Sequence, residues 1–177
     1  MKRKPHTSYK RRTQYTALHV MFASSTQPML PERSAHQLNA MRAGLAAIES
    51  APQPTTEHWR LCSDAVNMVE TLVNTSPIIM RVSATQTDSY TVSDNSGLLM
   101  DAIAALAKAG MRHRAGGPIR LDGPGLIAVR AVIEDYAALA AQLPERAMVQ
   151  AHRATETRIQ DILAGRGLPH DVEVCAI

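Results

Sequence analysis

The sequence predicts an all-α fold, a bundle of five or six helices with one short irregular β-hairpin or strand insertion near residues 78–92. Aromatic residues are scarce, with one Trp, one Phe and four Tyr. The core is therefore left to Ala, Leu, Ile, Val and nine Met, a mixture that packs helices better than sheets. Apolar side chains recur at spacings of three and four along most of the chain, the period of one helical face. Prolines and glycines stand where those runs begin and end. With 177 residues there is room for a single core plus tails, divided here as an arm (1–13), a bundle (14–165) and a C-terminal tail (166–177).

Taken in order, residues 14–24 suit a short additional helix through Tyr15, Leu18 and Phe22. The first long helix runs from Leu30 to Ala51. Pro31 opens it, Glu32 suits its first turn, and Leu38, Met41, Leu45 and Ile48 share one stripe. Pro52 and Pro54 stop it, and Thr55 or Thr56 caps the next helix. There Trp59, Cys62, Val66, Val69 and Val73 repeat like a bundle seam, so the two helices are expected to pair as an antiparallel hairpin. Ser76-Pro77 ends that helix. Met80, Val82 and Ala84 then alternate with polar residues as a half-buried strand would, and Tyr90-Thr91-Val92 is its expected return. Asp94 or Ser96 starts a third long helix along Leu99, Ile103, Leu106 and Gly110, stopped by Gly116-Gly117-Pro118. Asp122 caps a fourth, with Leu126, Val129, Ile133, Tyr136, Ala140 and Leu143 on its inner face. Pro144 starts a fifth, facing inward through Met148, His152, Thr155, Ile159 and Ile162 and closed by Gly165 and Gly167.

Charge is distributed unevenly. Lys2, Arg3, Lys4, Lys10, Arg11 and Arg12 precede the first acid, Glu32; removing those six from 19 bases leaves 13 against 16 acids. A basic arm thus precedes a mildly acidic body. Such an arm suits the phosphates of DNA or RNA, or an acidic protein surface, with steep salt dependence and no sequence preference of its own. A solvated tail is the plainer alternative. Arg112 and Arg114, with His113 between them and Arg120 nearby, form a second basic cluster. It suits either an anion or the negative end of a helix dipole.

Two cysteines, Cys62 and Cys175, do not make a disulfide framework, so a reducing cytoplasm (the host's, for a phage-encoded protein) is the expected compartment. No apolar run reaches the length of a membrane span. The stretch Ala17–Ala23 after basic residues is a weak match to a signal peptide, since His19 interrupts it.

The pattern nominates no catalytic residue, metal ligand or cofactor. No two of the seven histidines stand three to five residues apart, as ligands on one helical face require. Glu32 with His36 comes nearest and is expected to be a surface ion pair; His152 is expected to be a hydrogen-bonded core or interface histidine. Cys62 lies in an apolar seam, where a thiol is buried. The glycine clusters at 116–117 and 123–125 fit neither a Walker A loop nor a dinucleotide fingerprint.

Three segments carry a resemblance. They are the opening Met1-Lys2-Arg3-Lys4-Pro5; Leu38 to Leu45 followed by Trp59 and the run Asp64 to Glu70; and Leu121-Asp122-Gly123-Pro124-Gly125-Leu126 leading into the helix Val132 to Gln142. Together they resemble an uncharacterised family of small helical proteins encoded by phages and prophages of proteobacteria, with a longer segment at 76–92. The resemblance implies a mobile-element origin and brings no activity or catalytic residue with it. On these grounds the expected function is that of a phage accessory protein that binds a host protein, inhibiting a defence or transcription component. A nucleic-acid-binding protein using the basic arm is the alternative, and a homodimer is expected to bury residual apolar surface.

Overall fold

A computed structural model describes residues 15–75, 96–164 and 166. They form six helices: α1 (Ala17–Phe22), α2 (Pro31–Ser50), α3 (Thr56–Thr75), α4 (Ser96–Arg114), α5 (Gly123–Gln142) and α6 (Glu145–Leu163). The all-α bundle is present, short N-terminal helix included. Among the described residues there is no strand beyond a single bridge between Pro28 and Pro144. The β element expected near 78–92, the arm at 1–13 and all of the tail except Arg166 lie outside the described residues.

The helices begin and end where backbone chemistry directs. Asp122 accepts a hydrogen bond from Gly125 N at 2.8 Å, capping α5, and Pro124 stands in its first turn, where no N–H is needed. Thr55 N donates to His58 Nδ1 at 3.1 Å, so a histidine fills the place that Glu or Gln takes in a capping box. At the end of α4, Gly116 takes φ 88°, with Gly116 N bonded to His113 O and Gly117 N to Arg112 O. This is a Schellman closure, and its left-handed position is one that a glycine fills without strain.

α5 occupies the centre, packed on α2, α3 and α4. Almost every turn of it is apolar, and Val129, Val132, Ile133 and Tyr136 are fully buried. From α2, Met41, Leu45 and Ile48 face it; from α3, Cys62, Val66 and Val69 do. α2 and α3 form the expected antiparallel hairpin and approach closely at Gly44, where a Cβ would stand 2.9 Å from Leu61 Cβ and 3.0 Å from His58 O. Trp59 Nε1 donates to Leu106 O at 2.9 Å and ties α3 to α4. α6 closes the bundle against α3, where Thr155 donates to Thr71 Oγ1 at 2.7 Å and Arg158 pairs with Glu70. Surface ion pairs Arg42–Glu134 and Arg130–Glu49 join α2 to α5. Being exposed, each contributes at most about 1 kcal/mol.

Candidate partner-binding surface

Tyr15 anchors the start of α1. Its ring lies over His152 of α6, with centroids 5.1 Å apart, and burial raises its phenol pKa. Beneath it Tyr136 O–H donates to Gln37 Oε1 at 2.9 Å, with His152 Nε2 3.4 Å from the same oxygen. His152 is thus the buried, hydrogen-bonded histidine that its apolar stripe predicts, and burial pulls its pKa from 6.5 down to about 4. One turn of backbone is secured locally as well, since Thr16 N donates to His19 Nδ1 at 2.9 Å.

The far end of α1 is tied down by the first turn of α6. A helix start leaves N–H groups without intrahelical acceptors, and here the α1–α2 loop supplies them. Glu145 N donates to Gln27 O at 2.8 Å, and Arg146 N to Ser24 O at 2.9 Å. In return Ser24 N donates to Glu145 Oε2 at 3.2 Å, and the Arg146 guanidinium donates to Ala23 O at 3.2 Å and Met21 O at 3.4 Å. Arg33 of α2 pairs with the same Glu145 at 2.9 Å. Ala23 and Met29 are buried beneath the loop.

This double attachment holds a helix that buries none of its residues. Tyr15 and Val20 pack against the core, whereas Leu18, Met21 and Phe22 are 61%, 69% and 84% exposed. Those three stand at i, i+3 and i+4, one face of the helix, and Leu30 before α2 is likewise 61% exposed. Of the three residues that suggest this helix in the sequence, only Tyr15 packs inward; Leu18 and Phe22 face solvent. In so short a helix several faces look apolar, and the loop bonds to Glu145 and Arg146 decide which one turns outward.

The basic residues named from the sequence fare differently. Lys2, Arg3, Lys4, Lys10, Arg11 and Arg12 lie outside the described residues. Arg112 and Arg114 end α4, both exposed. Arg112 donates to Arg120 O at 3.0 Å, and Arg120 in turn donates to Ile48 O at 2.9 Å, Ala51 O and Pro52 O at the end of α2. Arg120 thus satisfies the orphan carbonyls of a helix C-terminus, which removes it from the proposed anion cluster. Glu32 and His36, expected as an ion pair, are both exposed and unpaired with each other among the described residues.

Among the described residues, no three His, Cys, Asp or Glu side chains gather as a metal site would need, and no helix is long and apolar enough to cross a membrane. Cys62 is fully buried, and burial beside Asp64 pushes its thiol up to about 12. In a Cys175→Ser chain, Cys62 should therefore resist maleimide at pH 8 while folded and react once urea unfolds the protein. Fast labelling of the native chain would show that the seam opens.

No family model, curated protein or solved structure matches the chain. The described fold is an all-α bundle carrying one apolar ridge, pinned at both ends and turned to solvent.

Proposed function

We propose that this chain is a binding protein without chemistry of its own, which docks on a host protein through the α1 ridge. The setting we propose is that of a phage or prophage accessory factor acting on a host defence or transcription component. The observation that carries the docking reading is the placement of Phe22. The chain has a single phenylalanine, and among the described residues it is the most exposed large apolar side chain. A bundle so poor in aromatics gains most by burying such a ring. Scattered exposed apolar residues need no explanation, but Leu18, Met21 and Phe22 share one face on a helix that contributes no buried residue. Helix-in-groove recognition uses such i, i+3, i+4 anchors, and pre-organisation lowers the entropic cost of binding.

The test is a pull-down from a proteobacterial host lysate with the wild-type chain and with Met21→Ser/Phe22→Ser, followed by titration of the purified partner. The double variant should keep the wild-type melting midpoint, since both side chains are exposed. Its affinity should fall by at least about tenfold. Undiminished binding by the double variant would remove α1 from the interface. Binding to DNA or RNA that is salt-dependent and indifferent to these substitutions would favour the basic-arm alternative instead.

A further inference from the structure

We propose that α4 forms the interface between two copies of this chain, its outer face crossing the same face of a second copy in antiparallel orientation. A helix on the surface of a bundle needs one apolar stripe, and α4 has two. The inner stripe is used within the fold: Ala102, Leu106 and Ala109 are buried, and Leu99 and Ile103 pack against the core. On the opposite side Met100, Ala104, Ala107 and Met111 follow at spacings of four, three and four, the repeat of a helix–helix seam. Met100 and Met111 are 63% and 41% exposed, with Ala104 exposed and Ala107 half-buried between them. α1 is held against α6, and α4 against α3 and α5, so a dimer through α4 is independent of docking at α1.

The occupant follows from the order of residues along this stripe. A two-fold antiparallel contact places Met100 of each copy opposite the second copy's Met111, and Ala104 opposite its Ala107. The alanines then lie at the centre, where crossing helices come closest. The long, adaptable methionines fill the layers on either side, where the axes diverge. Charge makes the same selection. Asp101 and Lys108 are exposed along one edge of the stripe, seven residues apart, and neither has an ion-pair partner among the described residues. Antiparallel pairing sets each Asp101 against the second copy's Lys108, twice over by symmetry. Parallel pairing brings Asp101 to Asp101 and Lys108 to Lys108, and like charges at that edge repel. A stripe with one acid and one base at equivalent positions of successive heptads is thus complementary to itself when reversed. The other cations of α4 stand clear of it, since Arg112 donates to Arg120 O at 3.0 Å and Arg114 lies beyond the last methionine.

The experiment is sedimentation velocity of the full chain over about 1–200 µM, where so short an interface should give a concentration-dependent monomer–dimer equilibrium. Ala104→Glu places a charge in the central layer and should raise the dissociation constant at least about tenfold. Its helix content and melting midpoint, read where the wild type is monomeric, should be unchanged because position 104 is exposed. Asp101→Lys and Lys108→Asp should each weaken self-association by about tenfold, since each turns both edge pairs repulsive. An equimolar mixture of those two variants should form a heterodimer as strong as the wild-type dimer. A chain that stays monomeric to about 200 µM would overturn the proposal. So would a dimer indifferent to Ala104→Glu, or single variants that do not recover on mixing. Dimerisation lost with Met21→Ser/Phe22→Ser instead would place the second copy on the α1 ridge, and that result also overturns it.

Discussion

Replacing Tyr136 with alanine should destabilise the chain by about 3–5 kcal/mol, the range measured for large aromatic truncations in well-packed cores. Among the described residues Tyr136 is the largest of the fully buried side chains, and it lies on the central helix, α5. Its removal leaves a cavity in a core whose other members, Met41 and Met148 among them, are themselves fully buried, and rigid neighbouring helices cannot collapse into it. Its hydroxyl also serves Gln37 and stands 3.4 Å from His152, so both lose a partner. The melting midpoint should fall by about 10 °C or more for a chain of this size. Tyr136→Phe separates the two contributions, because it keeps the ring and removes only the hydroxyl; about 1–2 kcal/mol is expected from the stranded polar groups. Urea denaturation of the full chain measures both, and a Tyr136→Ala loss below about 1 kcal/mol would contradict the packing described.

Acidification should weaken the fold through His152. Its pKa is about 4 in the folded chain and 6.5 for the free group, so between those values the unfolded state binds a proton that the folded state refuses. Stability attributable to this residue is complete above about pH 7, declines as the pH falls through 6.5, and is gone below about pH 4. The shift corresponds to about 3 kcal/mol, taken at about 1.4 kcal/mol per pH unit. The His152→Gln chain lacks this proton uptake, so its loss of stability between pH 7 and pH 4.5 should be smaller than that of the wild type. Parallel pH profiles for the two proteins would show that His152 is not held neutral. Because His152 carries the Tyr15 ring, hydrogen exchange at residues 16–23 should rise on the acid side before the remainder of the bundle exchanges.

Much of the architecture is legible in the sequence. The stripes Met41-Leu45-Ile48 and Cys62-Val66-Val69 are buried as their spacing requires, because a helix offers only one way to put residues three and four apart against a neighbour. Asp122 and the pair Gly116-Gly117 mark helix ends by local hydrogen bonds that need no tertiary partner. The histidines carry a fainter signal. His19 and His58 each accept a bond from a threonine backbone N–H three residues back, a local role with a sequence signal, Thr-x-x-His, that resembles a capping box. Arg120 had no such signal. It reaches carbonyls about 70 residues away, and only the packing of α2 beside the α4–α5 connection creates that acceptor cluster.

The sequence by itself determined the helices, their inner faces and the charge asymmetry, since periodicity, caps and composition act over a few residues. Tertiary structure alone decided which face of α1 looks outward. Six residues carry too few turns to define an inward stripe, and the rotation is set by Glu145 and Arg146, more than 120 positions away from the backbone they hold. That distant attachment turns Phe22 to solvent and makes it the candidate docking residue.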